Sequence, residues 1–217
     1  MKVEAFTGGG FAENGYLVIC PDSGGVAAVD PGAASQRMVE RIRAEDWTLE
    51  QIYLTHAHLD HVEGLHRVHA LDPDVPIWLH PADRPLFDGL AQQAGAFGMS
   101  FSPQPEPTHA FEHGQDVSFG GCTFAVRFAP GHAPGHVILV AEEHGLALVG
   151  DVVFQGSIGR TDLPGGDLQT LMSSIREQVL TLPDETRLYT GHGPATTVGR
   201  ERATNPFLVG HFGGELA

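Results

Sequence analysis

The sequence predicts an α/β chain folded as one domain over 1–217, a four-layer αββα sandwich with two central sheets and helices on both outer faces. Three observations carry that reading. The chain has two strand-rich halves, each with its own helices, and stacked sheets with outer helices are how such elements bury their apolar faces. At 217 residues with 41% hydrophobic side chains it can bury a large core without disulfides. No Pro/Gly/Ser-rich or charged stretch divides it into separate domains.

The elements follow in order. Lys2–Phe6, Tyr16–Cys20 and Val26–Asp30 read as strands, separated by Gly8-Gly9-Gly10 and by Asp22-Ser23-Gly24-Gly25. Ser35 opens a helix to Asp46, with Met38, Val39 and Ile42 at helical spacing. Leu49–Leu54 reads as a buried strand. A helix over Val62–Ala70, a strand at Ile77–Leu79 and a helix over Ala82–Gln93 come next. Gly95–Thr108, rich in Pro and Gly, reads as a long loop, and loops of that length in compact domains are commonly functional. Strands are expected near Val117–Phe119, Thr123–Phe128, Val137–Val140 and Leu146–Val149. After the loop Phe154–Gly166, Asp167 can N-cap a helix to about Leu180. Arg187–Thr190 is the last strand, and a short helix covers Glu201–Leu208.

Charge narrows the function. The formal net charge is −15, and the twelve cations are Lys2 and eleven scattered arginines. A nucleic-acid partner requires a basic surface that displaces phosphate counterions, so none is expected. No apolar run has the length of a membrane span. The start, Met1-Lys2-Val3-Glu4-Ala5-Phe6, carries an acidic residue where a signal peptide is apolar, so a cytoplasmic location is expected. Cys20 and Cys122 lie outside any C-x-x-C spacing and read as reduced, small apolar fillers of strands.

The chemistry is concentrated in Thr55-His56-Ala57-His58-Leu59-Asp60-His61. A borderline-soft divalent ion takes imidazole and carboxylate ligands, usually four around zinc. Three histidines and an aspartate within six residues exceed what one loop supplies to one ion. After a strand, His56 and His58 can point one way while Asp60 and His61 point another, which suits two adjacent ions. Three further candidates follow apolar runs: His132 in Pro130-Gly131-His132, Asp151 ending Leu146–Asp151, and His192 in Thr190-Gly191-His192-Gly193. A carboxylate at Asp151 can bridge two ions. The cofactor expected is thus two divalent metal ions, zinc by preference, with iron or manganese as the other choices. Asp60 and Asp151 are the candidate catalytic residues. Of the thirteen histidines, His66, His69, His80, His109, His113, His144 and His211 read as structural or solvated, and His136 as a residue that orients a ligand.

The order His-x-His-x-Asp-His, Gly-His, Gly-Asp, Gly-His from His56 to His192 resembles the metallo-β-lactamase superfamily. Within it, Gly150 to Asp167, Gly191 to Gly199, Glu201-Arg202 and Asn205-Pro206-Phe207-Leu208 resemble the short bacterial glyoxalase II-like hydrolases. The resemblance implies that His56, His58 and His132 hold one ion and that Asp60, His61 and His192 hold the other. Asp151 would bridge them. It implies hydrolysis of a small-molecule thioester such as S-lactoylglutathione.

The long form of that family carries a C-terminal helical region whose basic residues bind glutathione, and this sequence ends soon after His192. Arg160, Arg200 and Arg202 are the cations near the site in sequence, and Arg160 with Asp162 reads as an ion pair that stiffens its loop. Two alternatives within the fold stay open. A mononuclear iron persulfide dioxygenase would use His56, His132 and Asp151 as a two-histidine, one-carboxylate face, although Gly191-His192-Gly193-Pro194 keeps a ligand for a second ion. A lactonase would use the same seven ligands. A secreted β-lactamase is set aside for want of a signal peptide and of a cysteine near Asp151.

Overall fold

The computed structural model describes residues 1–209. It divides into two compact units, the first made of 1–111 with 117–123 and the second of 112–116 with the chain from 124 onward.

In the first unit, one six-stranded sheet runs in chain order: β1 (Lys2–Gly8), β2 (Glu13–Ile19), β3 (Gly25–Val29), β4 (Thr48–Tyr53), β5 (Ile77–Leu79) and β6 (His109–Ala110). The first two pairings are antiparallel hairpins, and the pairings from β3 to β6 are parallel. β2 and β3 are buried along their whole length; β3 and the Tyr16–Ile19 part of β2 are accordingly continuous apolar runs, while Glu13 and Asn14 open β2 as buried polar residues. Helix α1 (Ser35–Ala44) makes the β3–β4 crossover and turns Met38, Val39 and Ile42 into the core. In the parallel register Val29 lies opposite Tyr53, so the chain leaves β3 and β4 side by side. That is how Asp30 reaches the histidine loop.

The helices between β4 and β5 are α2 (Leu59–Val62) and α3 (Leu65–His69), in place of one helix from Val62. They break at Gly64, where the backbone packs so tightly on Gly32 and Ser35 that a Cβ would collide with both. The helix expected over Ala82–Gln93 is likewise a 3-10 turn, Pro81–Asp83, then α4 (Arg84–Asp88) and α5 (Leu90–Ala96), interrupted at Gly89. The loop after α5 is anchored by Met99 and Phe101 packed on the core.

In the second unit the sheet order is β14-β13-β10-β9-β8, comprising β8 (Cys122–Phe128, whose first two residues belong to the first unit), β9 (Val137–Ala141), β10 (Leu146–Gly150), β13 (Arg187–Thr190) and β14 (Thr196–Thr197). β7 (Asp116–Phe119) precedes them. Leu171, Ile175, Val179 and Leu182 close the core on one side of this sheet. The loop expected over Phe154–Gly166 contains a small hairpin, β11 (Val153–Phe154) with β12 (Ser157–Ile158). Asp167 caps α6 (Leu168–Ser174) as its residue type predicts, accepting from the Thr170 N–H at 2.7 Å. The final helix α7 spans Val198–Thr204 and not 201–208, because Thr197 caps it through its hydroxyl.

The cysteines require a correction. Cys20 and Cys122 form a disulfide, with Cα atoms 5.8 Å apart, within the reach of such a bond. Chain spacing of 102 residues gave no hint of it; only folding brings the end of β2 to the start of β8. No helix among the described residues is long and apolar enough to cross a membrane.

Candidate metal centre

His56, His58, Asp60 and His61 follow β4 directly, in the turn that opens α2. His56, His58 and His61 are buried, and the ring of His56 lies 4.8 Å from that of His58 and 4.1 Å from that of His61. His61 Nε2 is 3.9 Å from Asp60 Oδ2. The other nitrogen, Nδ1, sits 3.1 Å from Asp30 Oδ2. An imidazole whose Nδ1–H points at a carboxylate keeps Nε2 as the ligand atom, the usual arrangement behind a metal-bound histidine.

Asp30 is a residue that the sequence reading missed. It offers a carboxylate within 4.8 Å of ligand atoms of His56 and His61. Its oxygens, however, already accept from Thr55 N at 2.7 Å, Thr55 Oγ1 at 2.6 Å and His61 Nδ1. It is therefore an orienting group. Thr55 Oγ1 in turn lies 3.1 Å from His56 Nδ1. The available signal was an aspartate ending an apolar strand, as Asp151 does. Glu63, half-buried behind the loop, has its pKa raised, by burial first and by the charge of Asp60 second.

The second unit assembles His132, Asp151 and His192. Each follows a strand: His132 after β8, Asp151 after β10, His192 after β13. β10 and β13 are parallel, and Gly191 N donates to Gly150 O at 2.7 Å, so Asp151 and His192 emerge as neighbours. Asp151 Oδ2 is 3.4 Å from Nε2 of both His132 and His192. His132 Nδ1 points at the Arg160 carbonyl at 2.7 Å, leaving Nε2 toward Asp151. Gly131, at φ 125°, makes the turn before His132; a Cβ there would strike Leu171 of α6. His136 is fully buried, and its Nε2 accepts the Asp151 N–H at 3.0 Å, so it holds the backbone of Asp151 as a neutral ring. Two imidazole Nε2 atoms grouped about one carboxylate oxygen are a donor set that suits a borderline divalent ion.

Arg160 pairs with Asp162 through two contacts of 2.7 Å, which hold the Asp162 carboxyl down at about 2. Arg202 binds Asp184 and the Leu180 carbonyl, so it serves the α7 contact. Of the other histidines, His80 caps the 3-10 turn by accepting from Ala82 N, and His109 lies 4.7 Å from the Trp78 ring. His113 accepts from Phe128 N. His211 lies outside the described residues.

The family model of the metallo-beta-lactamase superfamily matches residues 8–192. Hydroxyacylglutathione hydrolase GloC of Haemophilus influenzae is 39% identical over 210 residues, 96% of this chain and 98% of that protein. The crystal structure of TTHA1623 in a di-iron-bound form aligns with a TM-score of 0.86 at 39% identity, covering 94% of this chain and 100% of that one. BLEG-1 B3 metallo-beta-lactamase aligns with a TM-score of 0.89 at 33% identity, covering 95% and 99%. The α/β sandwich expected from the sequence is the fold of these neighbours.

Proposed function

The chain belongs to the metallo-beta-lactamase superfamily of metal-dependent hydrolases, and from that premise we propose that it hydrolyses a small-molecule thioester of the S-lactoylglutathione class. The observation that carries the substrate is the match to a hydroxyacylglutathione hydrolase over nearly the full length of both chains. On this reading the two units work as one domain, since the family match runs through both.

His56, His58 and His132 would hold one divalent ion and Asp60, His61 and His192 the other, with Asp151 shared. Zinc fits the imidazole and carboxylate donors; the relative in a di-iron-bound form supports iron as the alternative load. Ions held there would supply a nucleophilic water near neutral pH and polarise the thioester carbonyl. The chain's own residues do the rest. Asp60 would orient the attacking water or accept its proton. Asp30 and the Arg160 carbonyl keep His61 and His132 in the tautomer that presents Nε2. A thiolate leaves without a proton donor, so no further acid is required at sulfur. Arg200 and Arg160 are the cations proposed near the thiol carrier, with Arg160 committed first to Asp162. A cytoplasmic location belongs to the same proposal.

The test compares S-lactoylglutathione hydrolysis by the metal-loaded wild type and by Asp151→Ala. Metal-dependent turnover in the first and none measurable in the second is expected. Absence of turnover with zinc, iron and manganese alike would reject the thioester. The similarity to BLEG-1 B3 metallo-beta-lactamase makes β-lactam hydrolysis the second reading, checked with a chromogenic cephalosporin in the same assay.

A further inference from the structure

The run that carries the first four candidate ligands has a second pattern, in its backbone. In Thr55-His56-Ala57-His58-Leu59-Asp60 the ligand side chains are at 56, 58 and 60, and the chain is extended through His58 (φ −74°, ψ 149°). Extended backbone alternates direction, so Ala57, between His56 and His58, turns the other way, and Leu59 follows as the first residue of α2. The N–H of the residue before each ligand is taken by a side-chain oxygen from a distant segment. Thr55 N donates to Asp30 Oδ1 at 2.7 Å, Ala57 N to Asp83 Oδ2 at 2.8 Å, and Leu59 N to Gln93 Oε1 at 3.0 Å. Gln93 also returns its amide N–H to the Ala57 carbonyl at 3.2 Å and to the Leu86 carbonyl at 2.9 Å. Ala57 is thus held at both its N–H and its C=O.

This loop follows the last residue of β4, Tyr53, and Ala57 in it is fully buried. A buried amide without an acceptor costs about 1–3 kcal/mol, and a loop that can exchange partners does not hold three ligands in one geometry. Asp83 ends the 3-10 turn after β5 and is itself fully buried. Gln93 lies on α5 and is half-buried. Neither is a candidate ligand, and neither belongs to a motif with the histidines.

We propose that Asp83 and Gln93 are positioning residues for metal binding: together with Asp30 they act as a surrogate strand that sets where His56, His58 and Asp60 present their ligand atoms. The inference rests on the metal-centre reading above and is independent of which substrate is cleaved. Groups that orient metal ligands from behind are worth about 10–100-fold in metal affinity, and the same range is expected here.

The experiment strips the full chain of metal, then measures zinc affinity by competition with a chromogenic chelator and the melting of the metal-free protein. The variants are Gln93→Met, Asp83→Ala and Asp83→Asn. Gln93→Met keeps the length of a half-buried side chain and removes all of its hydrogen bonds to the loop. It is expected to weaken zinc binding 10–100-fold with the metal-free melting temperature unchanged. Asp83→Ala should lose affinity to a similar degree, and Asp83→Asn, which keeps an acceptor for Ala57 N, should recover most of it. Wild-type affinity in Gln93→Met and in Asp83→Ala overturns the proposal. So does a loss confined to Asp83→Ala and accompanied by collapse of its metal-free fold, which is the mark of a merely structural residue. A wild type that binds no zinc, iron or manganese would overturn the metal-centre reading itself, an outcome distinct from normal wild-type binding with unaffected variants.

Discussion

Asp30 adopts a left-handed backbone, φ 47°, at the end of β3, a conformation that few non-glycine residues take and that aspartate tolerates better than most. The conformation turns its carboxylate back onto Thr55 and His61, where it accepts two hydrogen bonds and faces a third donor in His61 Nδ1. Such local strain persists where surrounding structure over-determines it, and it gathers at functional sites. Asp30→Asn retains the backbone preference and one acceptor for Thr55 but removes the anion behind His61. We expect a loss of about 10–100-fold in metal affinity with little change in secondary structure. Metal content after dialysis, beside the circular dichroism spectrum, decides it; full metal retention would remove Asp30 from the centre. Arg160 contrasts with it. Its guanidinium is exposed and already paired with Asp162, which suits an ordered loop more than a contact that shapes the metal ligands.

At the scale of elements, α1 is fastened to β1 by Arg41, whose Nε and Nη2 donate to the two oxygens of Glu4 at 2.8 and 3.0 Å. The same guanidinium binds Glu45 and lies 4.8 Å over the Trp47 ring. Two-pronged pairs of this kind are stronger than single contacts. The Arg41 guanidinium, against a smaller opposing effect of burial, lowers the Glu4 carboxyl from its ordinary 4.5 to about 2. Because the folded value is depressed, the contribution to stability is fully present above pH 4.5 and is lost as pH falls from 4.5 toward 2. Wild type should therefore be more stable than Glu4→Gln at pH 7, with the difference closing across that acid window. Urea unfolding of both at pH 7, 4 and 3 measures it, and a gap that stays constant with pH would contradict the assignment.

At the scale of the whole molecule, the Cys20–Cys122 disulfide closes a loop spanning 102 positions. A cross-link of that span restricts the unfolded chain and stabilises by about 2–5 kcal/mol. Reduction, or the double change Cys20→Ser with Cys122→Ser, should lower the melting temperature of the purified protein. The thiol count of the untreated protein should be zero. Two titratable thiols and an unchanged melting temperature on reduction would show that the bond does not form in solution.

What the sequence determined by itself is the class of fold and the kind of chemistry. Continuous apolar runs such as Val26–Val29 and Leu146–Val149, short and bounded by turn residues, read as strands buried on both faces, and the candidate ligands after them are of the types a divalent ion prefers. These are local facts, because periodicity and strand-end placement are written within a few residues. The short hairpin at Val153–Ile158, the breaks at Gly64 and Gly89 and the earlier start of α7 were not legible, since each depends on a neighbour supplied by folding or on a cap one turn upstream. The disulfide and the support of the ligand loop were hidden for the same reason at longer range. Asp30, Asp83 and Gln93 act on the histidine loop through its backbone N–H groups, at sequence separations of 25, 26 and 34. A backbone amide is the same in every residue and leaves no mark in the sequence, so only the tertiary structure could decide which side chains reach it.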